Sequence, residues 1–167
     1  MPATTPRKRI ALDTNLVLDL AGGADFAHDF RETFQGKGYV LCLPPTAIAE
    51  LHENFLHGTT PAKRDLARTA LLKLREWEIQ PLDLANLEVG IAEQFARRLL
   101  HAGLLPPEEQ NDALILAETA VAGIPILATS DKHLLETDET ALKLIFDEAD
   151  LPAVSPLHPR RLLRAIR

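Results

Sequence analysis

Two short apolar runs, each ending in a carboxylate, constrain this chain more than any other feature. Ile10-Ala11-Leu12 runs straight into Asp13, and Ile126-Leu127-Ala128 passes through Thr129-Ser130 into Asp131. A brief unbroken apolar run between polar residues reads as a strand buried on both faces, and such strands belong to parallel sheets. Helical patterns follow. Leu16, Val17, Leu18 and Leu20 lead to Gly22-Gly23, and a second strand-like run at 39–43 opens through Pro44-Pro45 into a helix over 45–57. Helices are predicted at 61–77, 87–101, 108–122 and 139–148. A strand is expected at 153–155, before a basic helix with Arg160, Arg161, Arg164 and Arg167.

Strands alternating with helices predict an α/β fold: a single three-layer α/β/α domain with a parallel central sheet. It is expected over residues 9–167, behind a flexible tail at 1–8. In such sheets ligands bind beyond the carboxyl ends of the strands.

Composition narrows the function classes. Hydrophobic residues make up 46% of the 167 and charged residues 25%, enough apolar material for a real core. Lys and Arg total 18 against 24 Asp and Glu, for a net charge of −6. That balance excludes holding nucleic acid by bulk positive charge, and it permits acidic residues gathered around metal ions. The single cysteine, Cys42, excludes an intramolecular disulfide framework and a cysteine-based zinc site, as in cytoplasmic proteins. No apolar run approaches the roughly 18–20 residues that span a bilayer. Arg7-Lys8-Arg9 followed by three apolar residues falls far short of a signal peptide. A cytoplasmic protein without membrane contact is expected.

Taken singly, Asp13 and Asp131 read as helix N-caps. At the same edge of one sheet they predict a shared acidic pocket. In the helix at 45–57, Ala47, Ile48, Leu51 and Phe55 form an apolar stripe; Glu53 falls opposite it and Glu50 at its border, able to reach into a cleft. The helix at 108–122 is apolar almost all round. There Asp112 shares a face with Ile115, Leu116 and Thr119, whereas Glu118 is expected to be exposed. A carboxylate among apolar side chains is unfavourable unless it meets a cation or donors, although a first-turn acid also gains from the helix dipole. Four such groups at neutral pH must take up protons or bind a divalent cation. With no cysteine cluster and no HxxxH spacing, the donors are all oxygen, which suits Mg²⁺ or Mn²⁺ and metal-assisted phosphodiester hydrolysis.

These motifs resemble the PIN domain, a metal-dependent ribonuclease fold that includes VapC-type toxins. Leu12-Asp13-Thr14-Asn15 is similar to the family's opening strand motif, and residues 47–51 with Glu50 to its helix acid. Asn111-Asp112-Ala113 through Gly123-Ile124-Pro125 resembles the third-acid helix. Thr129-Ser130-Asp131-Lys132-His133-Leu134 resembles the strand end carrying the fourth acid. The resemblance implies that Asp13, Glu50, Asp112 and Asp131 bind one or two Mg²⁺ or Mn²⁺ ions. It implies that Asn15 and Thr129 orient carboxylates or phosphate, and that RNA is cut to leave a 5′-phosphate and a 3′-hydroxyl. It further implies a toxin with an antitoxin protein as partner, and a homodimer.

A PIN-fold RNA-binding or scaffold protein without activity is the alternative, and the presence of all four acids counts against it. A phosphoaspartyl phosphatase needs a second Asp two residues after the first, where this chain has Asn15. A receiver domain needs an acidic pair near the first strand, and Gly-rich phosphate loops are absent. His52 and His133 read as solvated or satisfied histidines, Cys42 as a small buried hydrophobe and Trp77 as helix-end packing. Arg97-Arg98 and residues 160–167 read by default as solvated faces, the C-terminal cluster being the better RNA candidate.

Overall fold

Ile10, Ala11 and Leu12 expose no surface, and a strand that buries both faces has to lie in the middle of a covered sheet. The computed structural model, which describes residues 7–167, builds that sheet from five parallel strands in the order β3-β2-β1-β4-β5. They are β1 (Arg9–Leu12), β2 (Val40–Leu43), β3 (Ile79–Pro81), β4 (Ile126–Ala128) and β5 (Ser155–Leu157). Register is set by Ala11 opposite Cys42 on one side and Leu127 on the other, and by Ala128 opposite Leu157 at the far pair.

Helices occupy the connections: α1 (Thr14–Ala21), α2 (Asp25–Gly36), α3 (Pro45–His57), α4 (Pro61–Lys73), α5 (Asn86–His101), α6 (Gln110–Val121), α7 (Lys132–Leu135), α8 (Glu139–Glu148) and α9 (Pro159–Ile166). Proline at the first turn of α3, α4 and α9 lacks only an N–H that would go unpaired there. The core runs through the sheet's two faces, with Phe30 against Phe34 on one helix and Phe95 stacked on Phe146 between two others. Among the described residues no helix is long and apolar enough to cross a membrane.

Several predicted boundaries move. The helix expected over 61–77 ends at Lys73, because the chain turns through Glu78, whose φ is 54°, to bury Trp77. The strand expected at 153–155 is Ser155–Leu157, with Pro156 tolerated because the strand lies at the sheet's edge. β3 and α2 were not foreseen. The expected tail at 1–8 falls largely on residues 1–6, outside the described residues.

Candidate metal centre

The strand order changes direction between β1 and β4: the chain moves from β1 to β2 on one side and later returns to β4 on the other. In open parallel sheets the connections diverge at such a switch, and it is beyond the carboxyl ends there that ligands bind. Asp13 stands at the end of β1 and Thr129–Asp131 at the end of β4.

Asp13 is 3% exposed and fully engaged. Its Oδ1 accepts from the Thr14 backbone N–H at 2.8 Å, capping α1, and its Oδ2 accepts from the Thr129 hydroxyl at 2.7 Å. Thr129, completely buried, also accepts from the Asp131 N–H at 2.9 Å, so one hydroxyl ties both acids to the end of β4. Asp131 in turn caps α7, its Oδ1 accepting from the N–H groups of His133 (2.8 Å) and Leu134 (3.1 Å). Both acids therefore cap helices, as expected of each taken singly, and both are held by the same Thr129 hydroxyl.

Two helices bring the other carboxylates. Asp112, in the first turn of α6, is 9% exposed, and Glu50, in the second turn of α3, is half-buried. Burial, and then the charges of Asp13, Asp131 and Glu109, push the Glu50 carboxyl up to about 7 against the nearby Thr14 hydroxyl, which pulls it down. Burial, the adjacent Glu109 carboxyl and the charges of Asp131 and Asp13 push Asp112 up to about 8. Burial also raises Asp13, against the hydrogen bonds from Thr129 and Thr14 that pull it down. The charges of Asp13 and Asp131 thus act on both Glu50 and Asp112, which brings the four predicted acids to one end of the sheet.

Buried polar atoms are nearly always hydrogen-bonded, so exceptions mark sites that await a partner. Four buried side-chain atoms lack one among the described residues, and three belong here: Asp112 Oδ2, Glu50 Oε1 and Thr14 Oγ1. An all-oxygen set with orphaned carboxylate oxygens fits a hard divalent cation in kind. As the side chains stand, no three His, Cys, Asp or Glu among the described residues gather closely enough to hold one ion together.

Sequence reasoning missed Glu109. It precedes α6, one turn before Asp112, and its Oε1 lies 3.4 Å from His133 Nε2 across to α7. The i, i+3 spacing of Glu109 and Asp112 was the available signal. Glu118 corrects the expectation of exposure: it is 7% exposed and accepts from the Thr46 N–H at 3.0 Å and the Thr46 hydroxyl at 2.7 Å. α3 has no side-chain cap of its own, so α6 supplies one, and the all-round apolar helix had no solvent side to turn Glu118 toward. Asn15 is exposed on the first turn of α1, away from any side-chain hydrogen bond among the described residues, and His52 is exposed on α3.

The PIN domain model matches residues 10–140. No functionally curated protein matches the sequence. Among solved structures, the fold is similar to a chain of VapBC2 from Rickettsia felis, bound to a DNA fragment from their promoter: 14% identity, TM-score 0.60, 89% of this chain and 98% of that one covered. It is also similar to VapBC-1 from nontypeable Haemophilus influenzae (14%, 0.57, 91% and 98%) and FitAcB from Neisseria gonorrhoeae (18%, 0.55, 90% and 97%). The match spans the strand ends and helices that carry all four carboxylates, and the chain belongs to the PIN domain family.

Proposed function

We propose that this protein is a metal-dependent endoribonuclease that hydrolyses RNA phosphodiester bonds, acting as the toxin of a toxin–antitoxin pair in the cytoplasm. The observation that carries this reading is the grouping of three orphaned buried oxygens, two of them carboxylate, at the switch between β1 and β4. Family membership and the fold shared with VapBC and FitAcB chains support it, as they do an antitoxin partner; a homodimer is part of the same proposal.

Asp13, Glu50, Asp112 and Asp131 are the residues that would hold Mg²⁺ or Mn²⁺. When bound there, such an ion supplies an activated water and neutralises charge on the phosphate. The protein's own part is positional. Thr129 fixes the Asp13 carboxylate by its hydroxyl and holds the Asp131 backbone from the same atom. α6 presents Asp112 and at the same time caps α3, which presents Glu50. Asn15, exposed beside Thr14 on the first turn of α1, would meet the phosphate or a carboxylate that moves toward it.

The alternative, a catalytically inactive PIN-fold RNA-binding or scaffold protein, draws on the splayed carboxylates, of which no three converge on one point. One assay separates the two. Single-stranded RNA incubated with Mn²⁺ and the protein is cut to products with a 5′-phosphate, and Asp13→Ala and Asp112→Ala each abolish cutting while still melting cooperatively. Cleavage by both variants at the wild-type rate contradicts the assignment of the site, and no cleavage by any form favours the inactive reading.

A further inference from the structure

The chain carries a net charge of −6 and, on the reading above, cleaves a polyanion at a cluster of carboxylates. Such a centre repels its substrate unless positive charge is concentrated nearby. Residues 155–167 contain four Arg and no Asp or Glu. Their place in the fold, rather than their number, is what matters.

β5 is parallel to β4, so α9 begins at the same sheet edge as the acids. The link is short: the Thr129 N–H donates to the Leu157 carbonyl at 3.0 Å, and the Thr129 hydroxyl holds Asp13. His158, the next residue, caps α9 by accepting the Arg160 N–H on Nδ1 at 3.1 Å, and its ring stacks on Phe26 at 6.3 Å. The Arg160 guanidinium lies over the same Phe26 ring, 5.0 Å from its centroid. Arg161 and Arg164, one turn apart, are exposed and line a groove of about 460 Å³ between α7, α8, β5 and α9, where Lys143 adds a further cation and Glu139 a carboxylate, so that cations outnumber it three to one. Neither Arg161 nor Arg164 has a carboxylate within ion-pair distance among the described residues, whereas Arg98 and Arg167 are paired with Glu148 and Asp29. One wall of the groove is α7, whose N-terminus is capped by Asp131. The groove and the acid cluster are thus two sides of one short helix.

We propose that this groove is the path of single-stranded RNA, with Arg161 and Arg164 anchoring backbone phosphates next to the one presented to the carboxylates. The inference rests on the nuclease reading for where the strand leads. Guanidinium groups free of internal partners are suited to phosphate oxygens, and contacts of this kind hold the backbone without reading sequence.

The test uses the full chain in EDTA, so that nothing is cut, and follows a fluorescein-labelled oligouridylate by anisotropy. Arg161→Ala/Arg164→Ala binds about tenfold more weakly, and its dependence of log affinity on log salt is shallower by about 1.4, the counterion release of two single-strand phosphates. Arg75→Ala, on the turn before β3 at the opposite end of the sheet, binds like wild type. With Mn²⁺ added, the double variant shows a raised KM and an unchanged kcat. Wild-type affinity and salt slope in the double variant overturn the path. Competition by polyglutamate as effective as by RNA overturns it too, in favour of an acidic polypeptide on this surface. Cleavage by wild type with an unaltered double variant removes the path and leaves the nuclease; weakened binding by the double variant without cleavage by wild type does the reverse.

Discussion

The Thr129 hydroxyl donates to Asp13 Oδ2 at 2.7 Å across 116 residues of sequence, joining the ends of the two strands that flank the topological switch. Thr129→Val keeps the shape of the side chain and removes the donor, leaving a buried carboxylate oxygen unsatisfied. A loss of about 1–3 kcal/mol is expected, read from urea denaturation. Metal affinity should fall about 10–100-fold, since orienting groups of this kind are worth that much. Thr129→Ser, which keeps the hydroxyl, should restore most of both.

Glu118 makes a similar prediction for α3. Its two oxygens take the Thr46 N–H and hydroxyl, and no local side chain can replace them at the start of this helix. Glu118→Leu strands both groups and should lower stability by about 1–3 kcal/mol in chemical denaturation. Glu118→Gln, with one acceptor left, should fall between. Because α3 carries Glu50, the Leu variant should also bind Mn²⁺ more weakly than the Gln variant.

Much of this arrangement was legible in the sequence, and the omissions have physical causes. Asp13 and Asp131 stood out because a buried strand cannot continue through a charge, and α3 was bounded correctly at 45–57, its start marked by proline. Asp112 was flagged by an apolar face that a carboxylate would not join without reason. Glu118 was misjudged because its partner lies 72 residues away, in contact only once the two helices pack. α2 escaped because its buried face is sparse, resting on Ala27, Phe30 and Phe34 amid polar residues. β3 has only three residues and ends in proline, so little periodicity existed to read. Glu109 lies just outside a helix whose start was placed two residues too early, at 108 rather than Gln110, which made it look like an ordinary surface acid of the first turn.

The raised carboxylates predict an unusual pH dependence for the metal-free protein. Glu50 moves from 4.5 to about 7 and Asp112 from 3.8 to about 8, so between those limits the folded state holds protons that the unfolded chain has released. Stability then falls as pH rises through that window, because ionisation charges the cluster. Melts in EDTA at about pH 5 and about pH 8 should show the contribution, and Asp112→Asn should flatten the change and raise Tm at the higher pH. His158, lowered by burial and by Arg160 and Arg164, works in the opposite sense, which is why the difference between wild type and variant is the quantity to read. A variant with an undiminished pH slope would contradict the coupling.

Calorimetric titration of the metal-stripped chain with Mn²⁺, beside Asp112→Asn, tests most directly whether these carboxylates form a metal centre. Saturable binding by wild type, accompanied by release of protons at neutral pH and abolished in the variant, is the predicted result. No heat of binding up to millimolar Mn²⁺, or equal binding by both proteins, would contradict it.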